Sequence, residues 1–395
     1  MADQVRDAQW ILRKFDVEKA VWSVSQGEGV TVAVVDSGVM PDHPDLTGQV
    51  LPGTDFSGGK TDGRVDAQGH GTAIASLIAG HGHGTQAGVM GLAPKARILP
   101  IRVRTNGESP ELAQSDVALA VRYAVDHGAK VVNLSLGGYS RHDSQARAAI
   151  EYAASKDVVL VAATGNSGDT SQPVEYPAAL PGVVAVGAVD EQGKLWEKSN
   201  TGPETTLVAP GVDIYHASPT ATSGYGVSKG TSDAVAYVSA TAALIRSKYP
   251  GLSAGQVINR IIKSATPPPD GSAAPNDRYG YGLLAPAKAL EPNPAVDSGP
   301  KENPLLSRAE SQGAPSADPT DETAAPPVAP GAGAGGNRGI TYTLVGAGVL
   351  AVLVAGGVGG GLAVRARRRR AAAAAGPYPQ GYAGYPPPPP QRPYQ

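Results

Sequence analysis

Five short runs of β-branched and other apolar residues punctuate the first half of this chain: VTVAVV (30–35), RILPIRV (97–103), KVVNLSL (130–136), VVLVAA (158–163) and VVAVGAV (183–189). Each is near-continuous, without the strict alternation of a strand that has one wet face. A run of that texture must be covered on both sides. Helix-like stretches at 110–127, 143–155, 232–248 and 253–264 lie between and after them. Buried strands alternating with helices predict an α/β fold with a mostly parallel central sheet between two helical layers. In open sheets of this kind, functional groups gather outside the carboxyl ends of the strands. The glycine turns DSG, LGG and TGNSG stand at such ends here.

Texture also divides the chain of 395 residues. Residues 1–29 are a polar extension in which Trp10, Ile11, Phe15, Val21 and Trp22 are spaced as one face of a helix or two short ones, expected to pack on the domain that follows. Residues 30–290 have ordinary globular composition. Residues 291–339 are dominated by Pro, Ala, Gly, Ser and acids, which predicts a disordered linker. Residues 340–364, ITYTLVGAGVLAVLVAGGVGGGLAV, carry no charge and are long enough to form a transmembrane helix. Residues 365–395 are a basic and then Pro/Tyr-rich tail, for which polyproline II is the expected form. The chain has no cysteine, which excludes disulfides and thiolate chemistry. A net charge of −2 gives no footing for a nucleic-acid partner.

Arg365 and Arg367 to Arg370 follow the apolar run directly and should remain cytoplasmic. That orientation makes a single-pass protein of the cell membrane with residues 1–339 outside. The first 28 residues hold no apolar run of signal-peptide length, so an export signal is expected upstream of Met1 or trimmed away. The rival is a cytosolic enzyme with a tail anchor, which places the arginines on the wrong side.

Three residues carry the chemistry. Asp36 ends an apolar strand in VTVAVVDSGV, His70 opens a helix-like segment in AQGHGTAIASLIAG, and Ser232 begins the helix of KGTSDAVAYVSATAALI. A serine hydroxyl is a poor nucleophile unless a base stands within hydrogen-bond reach, and the base needs a carboxylate to orient it. Taken singly, the three could be a turn cap, a solvated turn residue and an N-cap. Together, in the order Asp, His, Ser and at element ends, they describe a serine hydrolase. That order and those flanks resemble the subtilase family, over about residues 30–290.

The resemblance implies a subtilisin-like three-layer fold and a peptidase that works through an acyl-enzyme on a polypeptide substrate, without cofactor or metal. It further implies that the Asn166 side-chain amide, in VAATGNSG, completes an oxyanion hole with the Ser232 N–H. By the same resemblance Leu134, Ser135, Leu136 and Gly137 form the strand edge that pairs with substrate backbone. Ala163, Thr164 and Gly165 wall the pocket for the side chain before the scissile bond, where small residues leave room for a sizeable apolar group. The linker, single span and basic cytoplasmic end, with the stretch YVSATAALIRSKYP, are similar to the mycosins, membrane-anchored proteases of type VII secretion. Mycosins often carry cysteines, and none is present here.

Four positions depart from the subtilase pattern. Asp233 follows the serine where an apolar residue is usual, and a carboxylate pointing inward there would oppose negative charge on the substrate oxygen. Val235, Ala236 and Ala240 replace the usual small residue, proline and glycine, which leaves the first helical turn free to present Ser232 differently. These changes motivate a rival reading, a weakly active or inactive scaffold that stabilises a secretion complex. His81 and His83, and Asp42 and Asp45, read as loop residues rather than metal ligands.

Overall fold

The computed structural model describes residues 2–105, 110–138 and 143–308. The predicted transmembrane run 340–364, the tail 365–395 and most of the predicted linker lie outside the described residues. Among the described residues no helix is long and apolar enough to cross a membrane.

The chain runs through β1 (Thr31–Asp36), β2 (Thr54–Asp55), β3 (His81–His83), β4 (Ala87–Met90), β5 (Arg97–Arg102), β6 (Val131–Leu134), β7 (Val159–Ala163), β8 (Val184–Val189), β9 (Thr205–Pro210), β10 (Val212–Ala217) and β11 (Tyr225–Lys229). The helices are α1 (Ala2–Ala8), α2 (Trp10–Lys14), α3 (His70–Ala79), α4 (Pro110–Asp126), α5 (Ser144–Ser155), α6 (Thr231–Lys248), α7 (Ala254–Ser264), α8 (Pro286–Leu290) and α9 (Pro294–Asp297). Among the described residues seven strands form the central sheet in the order β2-β5-β1-β6-β7-β8-β9, every neighbouring pair parallel. The two hairpins β3–β4 and β10–β11 stand apart from it.

The two-sided burial seen in the sequence is what the sheet displays. Along β1, Val32 and Val34 join a core formed with α3, α6 and α7. Ala33 and Val35 join the opposite core, formed with α4 and α5. All four are fully buried, as a strand sandwiched between helices must be. The strand order grows from β1 toward β5 and β2 on one side and toward β6 to β9 on the other. The reversal falls between β1 and β6, where a crevice opens beyond the strand ends. Helix α6 is buried along nearly its whole length. A chain of hydrogen bonds ties it to β6: Ser239 Oγ donates to Asn133 Oδ1 (3.0 Å), Asn133 Nδ2 to Ser135 Oγ (2.8 Å), and Ser135 Oγ to the Ser232 carbonyl (3.0 Å).

The N-terminal segment lies against this body. Arg6 Nη2 donates to the Ala87 carbonyl (2.8 Å) and Trp10 Nε1 to the Val212 carbonyl (3.2 Å). The Gln9 amide exchanges two bonds with the Met90 backbone (3.0 and 2.9 Å).

The beginning of the predicted linker is not free chain. Arg260, 1% exposed, is gripped by both Asp297 oxygens (2.8 and 2.6 Å) and donates to the Ala289 carbonyl (3.0 Å). Leu305 is buried, and Asn303 Nδ2 donates to the Gly182 carbonyl (2.7 Å). Composition misleads here because these few anchors are polar residues and one leucine among many prolines and small residues.

Candidate active site

Beyond the ends of β1, β6 and β7 the surface opens into a cleft of about 750 Å³. Its lining brings together His70, Ser135 to Gly138, Ala163, Gly165, Asn166 and Ser232, from four separate elements and their turns. Asp36 stands at the last position of β1, 1% exposed. Both of its oxygens lie 2.8 Å from His70 Nδ1, and Oδ1 also accepts the Ser37 N–H at 2.7 Å. Helix α3 can approach β1 so closely because residue 71 is glycine: a Cβ there would lie 2.0 Å from the Gly38 carbonyl oxygen. Asp66, which carries no motif of its own, fixes that approach. It is buried, and it accepts the Ser37 hydroxyl (2.9 Å), the Gly69 N–H (2.7 Å), and the N–H and hydroxyl of Thr72 (2.9 and 2.6 Å).

The His70 side chain is 45% exposed, facing the cleft. Burial works against its charged form. The Asp36 charge and hydrogen bond outweigh that, Asp233 and Asp66 add to them, and the imidazole is raised to about 9.

Ser232 lies in the first turn of α6, after Gly230 and Thr231. Its hydroxyl donates to the Ser135 carbonyl at 3.3 Å, and among the described residues it makes no hydrogen bond to His70. Asn166 is oriented by its oxygen: Oδ1 accepts both the N–H and the hydroxyl of Thr231 at 2.9 Å. That leaves Nδ2 to face the cleft. A Cβ built on Gly230 would lie 3.7 Å from the Ser232 nitrogen and 3.8 Å from Asn166 Nδ2, so both nitrogens stand beside the same small space.

The side chains of two of the residues expected at the substrate site do not line the cleft. Leu134 is fully buried in the α4–α5 core because side chains alternate along β6. Thr164 is fully buried, its hydroxyl without a hydrogen-bond partner among the described residues. Ser135, Leu136, Gly137, Ala163 and Gly165 do line the cleft.

Asp233 does not point to solvent. It is 4% exposed, lines the cleft, and accepts the Ser228 hydroxyl at 2.7 Å. Burial pushes its carboxyl up to about 6, against the opposing effects of Ser228 and His70. His216 also lines the cleft, and burial lowers its imidazole. His81 and His83 lie in β3 rather than in a loop, where His83 Nδ1 meets Asp45 Oδ1 at 2.5 Å and His81 Nε2 the Thr47 carbonyl at 2.9 Å. Among the described residues no group of three or more His, Cys, Asp or Glu converges as a metal site.

A doubly wound parallel sheet that gathers an acid, an imidazole and a hydroxyl at its switch point is the framework of a serine peptidase. Residues 27–282 match the Subtilase family, and the chain belongs to that family. It is 37% identical to Subtilisin DY of Bacillus licheniformis over 261 residues, 66% of this chain and 90% of that one. It is also 37% identical to Mycosin-3 of Mycobacterium tuberculosis over 305 residues, 62% of this chain and 64% of that one. Among solved structures, the MycP3 protease from the type VII (ESX-3) secretion system matches with a TM-score of 0.63 at 33% identity, covering 71% of this chain and 88% of that one. MycP1 from Mycobacterium smegmatis matches with a TM-score of 0.63 at 27% identity, covering 75% and 87%. The expected subtilisin-like fold and the likeness to the mycosins are both borne out.

Proposed function

We propose that the protein is a membrane-anchored serine endopeptidase in which Ser232 is the nucleophile, His70 the general base and then acid, and Asp36 the residue that orients it. The observation that carries this reading is the Asp36–His70 pair facing the same cleft as Ser232. In the first step the Ser232 hydroxyl leaves the Ser135 carbonyl, gives its proton to His70 Nε2 and attacks the substrate carbonyl. The bound Asp36 fixes the His70 tautomer and stabilises the imidazolium. The oxygen that gains charge is received by the Ser232 N–H and Asn166 Nδ2, aided by the positive end of α6. His70 then protonates the leaving amine, the acyl-enzyme forms, and water reverses the steps. The edge at Ser135 to Gly137 pairs with the substrate backbone as an added strand.

The uncharged run 340–364 followed by arginines supports a single span, with the protease domain outside and the tail in the cytoplasm. The likeness to Mycosin-3 and MycP3 supports association with type VII secretion machinery. Two experiments test the reading. Hydrolysis of a peptide library by the full chain should vanish in Ser232→Ala. External protease added to intact cells should degrade the domain and spare the C-terminal tail; cleavage of the tail instead would overturn the topology.

A further inference from the structure

The cleft holds an acid that none of these steps uses. Glu175 lines it, with its N–H bonded to the Thr164 carbonyl at 2.9 Å, which sets it against the Ala163–Gly165 wall. Its carboxylate is wedged between two backbones. A Cβ on Gly137 would fall 1.9 Å from Oε2, and a Cβ on Gly165 would fall 2.7 Å from Oε1. Glycine at both positions therefore makes room for this carboxylate as well as for substrate. Burial pushes the Glu175 carboxyl above its ordinary range. The Gly138 N–H opposes that shift, and no cation of the described residues does.

We propose that Glu175 is the charge at the floor of the pocket for the residue before the scissile bond, and that it selects substrates with lysine or arginine there. This deepens the function proposed above and rests on its placement of the scissile bond. With one backbone donor among the described residues, this half-buried carboxylate is under-solvated. A substrate ammonium or guanidinium supplies the missing partner, whereas an apolar side chain removes the remaining water and supplies nothing. The sizeable apolar group expected from the small wall residues fits the volume but not the charge. The sequence showed the glycines and the alanine; it gave no sign that a residue ten positions beyond Gly165 would fold back between them.

The test uses the full chain and peptides that differ only at the residue before the scissile bond. The kcat/KM ratio of lysine over leucine peptides should exceed about tenfold, and Glu175→Gln should cut it by about tenfold or more while Ser232 still reacts with a fluorophosphonate. A ratio that Glu175→Gln leaves unchanged overturns the proposal. Binding of the same peptides to Ser232→Ala separates the two readings. Tighter binding of the lysine peptide, lost in Ser232→Ala/Glu175→Gln, upholds the pocket even if the wild-type chain does not hydrolyse. Equal binding of lysine and leucine peptides overturns the pocket while leaving the hydrolytic reading intact.

Discussion

Replacing Asp233 with asparagine should stabilise the protein and move its pH profile together. The carboxyl is 4% exposed and raised from an ordinary 3.8 to about 6, chiefly by burial. Between those values the native state holds a proton that the unfolded chain releases. Stability therefore falls as pH climbs through this window and stays lowered above it. A rise of that size corresponds to about 3 kcal/mol. Asparagine keeps an oxygen for the Ser228 hydroxyl and removes the charge. Asp233→Asn should thus gain up to about 3 kcal/mol at alkaline pH and nothing below about pH 4. The same charge helps to raise His70, so the acid limb of kcat/KM should shift to lower pH in the variant. The plateau responds less. Repulsion of the oxyanion at about 6 Å is about 3 kcal/mol, or about a hundredfold in rate, but Asp233 also attracts the imidazolium formed in the same step. Urea denaturation at acid and alkaline pH, with a kcat/KM profile on one peptide, reads both effects. A variant no more stable at alkaline pH, with its acid limb unmoved, would refute the reasoning.

Further outcomes follow from the same geometry. In the wild type the acid limb should lie above the ordinary imidazole value of 6.5 and no higher than about 9, because His70 must lose its proton to act as base and its exposure screens part of the Asp36 attraction. A pH–rate profile whose limb lies at or below 6.5 would contradict that. Asn166→Leu should lower kcat by about a hundred- to thousandfold with little change in KM, the magnitude known for a donor of this kind in subtilisin; steady-state kinetics check it. Asp297→Ala removes the carboxylate partner of the buried Arg260 guanidinium and should cost about 3 kcal/mol, read from the denaturation midpoint.

The sheet and its helices were legible because their signal is local. Near-continuous apolar runs such as 158–163 announce a two-sided strand, and the residues that end them announce the site. Asp36, His70 and Ser232 stood out for the same reason, each at an element end beside glycine. What stayed hidden is long-range. β9, TTLVAP, opens with two threonines and ends in proline, and it is the parallel pairing with β8 that makes it a strand. Asp66 looks like one more loop acid until five donors are found to converge on it. Asp233 was conspicuous as a residue, but its burial and its Ser228 partner depend on β11 packing beside α6. Glu175 enters the cleft only through the fold of a loop with no sequence signature.

The most direct test of the central claim is fluorophosphonate labelling of the full chain, with the modified residue mapped by mass spectrometry. The account predicts covalent modification at Ser232, slowed by orders of magnitude in His70→Ala and Asp36→Asn, whose Asp36–His70 pair is broken. A folded protein whose Ser232 stays unmodified, or reacts equally in all three chains, would show that the acid and imidazole do not activate this serine.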